Sequence, residues 1–162
     1  MTSVWTASAA RASCTYFGDK LGLIQAVIEY QSAGVLGAQT EALAAVRDWE
    51  DLNEWAAMIV AAAEDQSARG GCPIGTLAAT LADTDETFRL ALSDAFHAWH
   101  AEIRRALVRL RDTGLLSPDA ELDALTTRTL GALQGGLLLA KTSRDAEREP
   151  GRIAPAPEFA CS

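Results

Sequence analysis

A chain of 162 residues, 49% apolar and 22% charged, has the length and composition of one soluble globular domain, which excludes fibrous, collagenous and wholly disordered classes. Acidic residues outnumber basic ones, 22 against 14, for a formal net charge of −8, so the surface as a whole does not attract polyanions, though a local DNA-contacting element stays open. Cys14, Cys72 and Cys161 are odd in number and far apart, which fits neither a disulfide framework nor a metal cluster and points to a reducing compartment.

The first thirteen residues lack the apolar core of a secretion signal, and runs such as Leu137 to Ala140 are far too short to span a bilayer. The expectation is a cytoplasmic protein without a membrane partner. Proline is absent before Pro73 and again between Pro73 and Pro118. Alanine and leucine fill these gaps and no stretch alternates with period two, so the fold class is all-α.

In chain order, Asp19 is placed as an N-cap, and Leu21, Ile24, Val27, Ile28, Val35 and Leu36 recur at helical spacing. This predicts a helix from about Lys20 to about Val46, with Gly34 and Gly37 as bends. Asp51 followed by Glu54 approximates a capping box for a second helix with Leu52, Trp55, Ile59, Ala62 and Ala63 on its apolar face, reaching about Ala68. Arg69-Gly70-Gly71-Cys72-Pro73 stops it, and a short helix holds Leu77 and Leu81.

Thr84-Asp85-Glu86 caps the next helix, in which Phe88, Leu92, Phe96, Trp99, Ile103, Leu107 and Leu110 step by three or four until Gly114 ends it. Ser117-Pro118 restarts the chain as cap and first helical residue. Leu122, Leu125, Leu130, Leu133 and Leu137 then carry the last long helix. Beyond Lys141 the sequence is charged and then proline-rich, which predicts a frayed or disordered tail.

Two colinear segments carry a family likeness. Tyr16-Phe17, Gly18-Asp19-Lys20 and Leu23, within the run from Ala12 to Ile28, resemble the end of the recognition helix and the start of the next helix in TetR-family transcriptional regulators. Gly71-Cys72-Pro73-Ile74-Gly75-Thr76-Leu77, Ala98-Trp99, Gly114-Leu115-Leu116 and the run from Ala132 to Ala140 resemble, in that order, the effector and dimerisation domain of the subgroup that includes multidrug-efflux repressors.

The likeness implies a partial helix-turn-helix remnant over residues 1–19, a helical ligand-binding and dimerisation domain over 20–145 and a tail over 146–162. It further implies a homodimer that binds operator DNA and is released from it by a small hydrophobic or aromatic effector. The alternative is a truncated helical ligand-binding and dimerisation module without autonomous DNA binding. Departures favour that alternative. About a dozen residues stand where the family needs two further helices. Ser13 and Cys14 occupy positions where the family has an apolar anchor and a DNA-contacting tyrosine, and Pro150, Pro155 and Pro157 forbid the family's last helix. The expectation is a chain altered at both ends, by a late start and by a truncation or frame change.

For DNA the candidates are Ser13, Thr15, Tyr16 and Lys20: short polar groups and an aromatic hydroxyl suit phosphates and base edges, and a lysine at a helix N-terminus holds a phosphate. The competing reading makes Tyr16-Phe17 a hydrophobic staple and Lys20 a solvated residue. For a ligand they are Trp55, Met58, Ile59, Phe88, Phe96, Trp99, His100 and Ile103, since large aromatics and a polarizable methionine suit flat apolar molecules. An ordinary core accounts for the same residues. His97 falls opposite the apolar stripe, and His100 at its margin faces either ligand or water. For a dimer seam they are Leu130, Gly131, Gln134, Gly135 and Leu138, because small residues four apart allow a partner helix to approach. Packing of the same glycines against the helix from Phe88 to Leu110 is the competing reading.

An enzyme finds no support. Cys72 has no histidine in its loop, Asp83, Asp85 and Glu86 read as helix caps, and no phosphate-binding glycine loop follows a strand. No cofactor and no metal is implied.

Overall fold

The computed structural model describes residues 20–65 and 71–143. All regular structure among them is helical: α1 (Lys20–Ala45), α2 (Trp49–Asp65), α3 (Pro73–Leu81), α4 (Glu86–Asp112) and α5 (Leu122–Ser143). The fold is all-α, as the sequence predicts. The recognition-like segment, the stretch from Gln66 to Gly70 and the tail beyond Ser143 lie outside the described residues.

The central element is α4. Its apolar stripe, Phe88, Leu92, Ala95, Trp99, Ile103, Ala106, Leu107 and Leu110, is buried throughout. Asp85 caps the helix from extended backbone, its Oδ1 accepting the Thr87 N–H at 2.8 Å, and Glu86 complements the positive helix end. At the other end Gly114 adopts φ +77°, a left-handed conformation that costs other residues a Cβ clash. There the Leu115 N–H reaches Leu110 O at 2.9 Å and the Gly114 N–H reaches Arg111 O at 3.0 Å, the paired bonds of a Schellman cap.

Helices α1, α3 and α5 pack against α4, α1 also touches α2 and α3, and α2 touches α5. Through Gly34 and Gly37 α1 continues as one helix instead of ending in separate segments. Carbonyls at and just past its C-terminus are taken by Arg109 of α4: Nε donates to Val46 O at 3.2 Å, and Nη2 to Leu43 O, which also accepts the Val46 N–H at 3.4 Å. A cation at the negative end of a helix adds charge to these bonds. Beside it the Trp49 indole N–H donates to Leu115 O at 3.1 Å, so the α1–α2 corner is tied to the end of α4.

Two helix starts differ from the sequence expectation. The cap of α2 is Asp48, whose Oδ1 accepts the N–H groups of Glu50 and Asp51 at 2.9 and 3.0 Å. Asp51 sits inside the first turn and reaches back to the Arg47 N–H at 2.8 Å. That bond, ahead of the Arg47 side chain, holds its carboxyl below the ordinary carboxylate range. At the other site Ser117 closes a turn instead of opening α5: its carbonyl accepts the Ala120 N–H and its Oγ the Asp119 N–H. The helix begins only at Leu122.

Candidate functional site

Trp55, Phe88, Trp99 and Ile103 meet in one buried cluster, with Ile59 and Phe96 packed against it. The two indoles differ in their hydrogen bonding. The Trp55 N–H donates to Gln39 Oε1 at 3.3 Å, and Gln39 Nε2 donates to Val35 O at 3.0 Å, so this polar residue in the apolar face of α1 is satisfied on both sides. Trp99, only 1% exposed, has no partner for Nε1, and Ser32 Oγ on α1 and Gln134 Nε2 on α5 share that condition. A buried donor without a partner costs about 1–3 kcal/mol. No acidic or basic residue is among the buried residues described. The surroundings of the two indoles are therefore apolar, with a few neutral hydrogen-bonding groups.

Two of the residues expected beside a ligand stand apart. Met58 lies on the outer face of α2, 38% exposed. His100 is half-buried at the α4–α5 seam, its Nε2 3.3 Å from Thr127 Oγ1. His97 is exposed beside Ser93. The same seam carries the Arg104–Asp123 ion pair at 2.6 Å, while Arg89–Glu86, also 2.6 Å, stays on the surface of α4. Hydrogen bonding to Arg89 holds the Glu86 carboxyl below its usual range and raises the guanidinium in return. Exposed as they are, such pairs stabilise little.

The two motif segments of the second half meet in space. Cys72 is buried and caps α3, its Sγ accepting the Gly75 N–H at 3.4 Å, with Pro73 as first helical residue and Gly71 at φ +62° before it. Gly75 runs so close to α5 that a Cβ there would stand 2.6 Å from Gln134 Oε1. Two turns further along α5, Lys141 Nζ donates to Thr76 Oγ1 at 3.4 Å. The glycine in the one motif and the glutamine in the other are thus two halves of a single helix contact.

Of the five seam candidates, Leu130 packs against the core and Gln134 against α3. Gly131, Gly135 and Leu138 point elsewhere: a Cβ at either glycine meets no atom within 4 Å, and Leu138 is 61% exposed. The glycines do not accommodate α4. Lys20 is the first described residue, exposed at the start of α1; Ser13, Thr15 and Tyr16 lie outside the described residues. Among the described residues no three His, Cys, Asp or Glu side chains group as metal ligands, and no helix is long and apolar enough to cross a membrane.

Sequence reasoning missed Ser32, Gln39 and Arg109. Gln39 had a signal: it replaces an apolar residue in the spacing Val35, Leu36, Gln39, Leu43. Arg109 had none, because its partners are more than sixty residues away.

Residues 49–148, from the start of α2 to just past α5, match the family described as "Transcriptional regulator LmrA/YxaF-like, C-terminal domain". No curated protein and no solved structure matches the chain.

Proposed function

The chain belongs to the TetR family of transcriptional regulators, and on that premise we propose that it is a ligand-responsive regulator, a repressor that a small hydrophobic effector releases from operator DNA. In this reading residues 1–19 contribute to the DNA-binding head through Ser13, Thr15 and Tyr16, joined by Lys20 at the start of α1, and residues 20–145 form the effector and dimerisation domain. The observation that carries it is the placement of α1. This helix leads directly from the recognition-like segment, and it packs along α4, whose buried stripe holds Phe88, Trp99 and Ile103. A molecule lodged against that stripe displaces α1, and with it Lys20, while Arg109 holds the far end of α1 to α4. In a dimer joined through Gly131, Gly135 and Leu138, such a shift changes the spacing of two heads, and half-site spacing governs operator affinity.

The second reading, a ligand-binding and dimerisation module without DNA activity, is supported by the departures from the family pattern at Ser13 and Cys14. Selection from a random-sequence duplex pool at low salt separates the two. A regulator enriches a two-fold symmetric site, and Lys20→Ala weakens its binding to all sequences and lowers the salt slope by removing a phosphate contact. A headless module enriches nothing.

A further inference from the structure

Helix α1 differs from the central helix in what it shows to solvent. Between Leu21 and Thr40 its only charged residue is Glu29, whereas the exposed side of α4 carries Arg89, Arg104 and Arg105. A helix that is apolar on every side is ordinarily covered on every side. At about 100° per residue, Ile28, Val35, Gln39 and Leu43 form the side packed on the domain, and Leu23, Val27, Tyr30 and Gly34 lie opposite. Leu23 is half-buried, Val27 is 40% and Tyr30 77% exposed, and a Cβ at Gly34 meets nothing within 4 Å among the described residues.

Residues 1–19 run directly into α1 at Lys20 and carry the matching pattern. Counted back from the junction, Tyr16, Ala12, Ala9 and Trp5 are separated by four, three and four residues, as are Leu23, Val27, Tyr30 and Gly34 counted forward. Gly18 suits a helix stop and Asp19 a helix cap, the punctuation of a tight antiparallel helix pair. Folded about that turn, Tyr16 is level with Leu23, Ala12 with Val27, Ala9 with Tyr30 and Trp5 with Gly34. The sizes interlock, since the largest side chain meets the glycine while Tyr30 and Val27 meet alanines. So short a tether also holds the segment at an effective concentration of roughly millimolar. We propose that residues 4–17 fold back as a helix on the outer stripe of α1 and cover it within the same chain. In this docked form Tyr16 faces Leu23 and is withheld from a phosphate, so any DNA contact through it requires the cover to open.

Two measurements on the full chain test this. The first reads the register by disulfide closure with oxidised glutathione, in a background of Cys14→Ser and Cys161→Ser that keeps the buried Cys72. The pair Ala12→Cys and Val27→Cys should close within one chain about tenfold faster than Arg11→Cys and Val27→Cys, whose first thiol is turned about 100° away from the stripe. The second needs no oxidation, because Arg11 is the only basic side chain before Lys20 and trypsin cleavage after it reports an undocked segment. Gly34→Leu adds a side chain where no described atom stands in the way and occupies the room Trp5 needs. It should speed cleavage after Arg11 about tenfold and leave cleavage within residues 71–143 unchanged. Equal closure of the two cysteine pairs overturns the proposed register, and equally fast cleavage after Arg11 in wild type and variant overturns the cover. Disulfides that join two chains instead of closing within one assign the stripe to a second copy and overturn it as well. None of these outcomes decides the regulatory reading, which the duplex selection tests separately.

Discussion

Helices α4 and α5 are both long and leucine-rich, yet they use their apolar residues in opposite ways. In α4 the stripe from Phe88 to Leu110 is consumed inside the chain, against α1, α3 and α5. In α5 one face, with Leu122, Leu133 and Leu137, is buried, and the other keeps Gly131, Gly135 and the exposed Leu138 in open space. The lesson is that an apolar stripe identifies a packing face without saying whose atoms pack on it. Among the described residues nothing lies within 4 Å of a Cβ at Gly131 or Gly135, which removes the contact with α4 as an explanation for these small residues.

The sharpest contrast between the helices is in core truncation. Ile103→Ala in α4 deletes fully buried methylenes and should cost about 2–5 kcal/mol by denaturant unfolding. Leu138→Ala in α5 should leave the stability of the isolated monomer within about 0.5 kcal/mol. A comparable loss at both positions would erase the distinction.

Next in size is the tie between α4 and α1. Arg109→Met keeps much of the side-chain volume but strips two carbonyls of their charged donor, and should destabilise by about 1.5–3 kcal/mol. Hydrogen exchange should speed up at the C-terminal turn of α1 before it does in α4. A smaller, local effect belongs to the contact by which α5 meets α3. Gly75→Ala displaces only the far end of a flexible side chain, Gln134 Oε1, against a gain in helix propensity, and should change stability by less than about 1 kcal/mol. In a Gln134→Ala background the same change should be more favourable, and an equal effect in both backgrounds would mean that Gln134 does not oppose the added methyl.

The smallest effect is electrostatic. Because the folded Asp51 carboxyl is held below its usual range, its contribution is present above the unfolded carboxylate range and is lost as pH falls through the depressed folded value. Acid titration of stability should therefore be shallower in Asp51→Asn, with the difference confined to acidic pH.

Much of this comparison could be read from the sequence, and the reasons differ by feature. The stripe of α4, its Asp85 cap and its Gly114 stop are local signals within one helix, and the structure contains all three. The start of α2 was less legible, because Asp48 and Asp51 are equally good caps by residue type, and the choice falls on Asp48 where Trp49 bonds to Leu115 sixty-six residues away. Ser117-Pro118 looked like a helix start, but its bonds close a turn. Within α5 a rotation of about 100° per residue separates Leu130 and Gln134 from Gly131, Gly135 and Leu138, and spacing alone did not say which group faced inward. Of the ligand candidates, Phe88, Phe96 and Trp99 came together because they share the α4 stripe, and Trp55 joins the same core from α2. The orphan state of Trp99 Nε1 depends on what surrounds it in three dimensions and leaves no trace in composition.

The most direct test of the division between the two helices is sedimentation velocity on the wild type and on Gly135→Leu. A Cβ at this position meets nothing within 4 Å among the described residues, so the variant should keep its far-UV helicity. The account predicts a dimer for the wild type at micromolar concentration and a folded monomer for Gly135→Leu. A monomeric wild type, or a variant that remains dimeric, would contradict it.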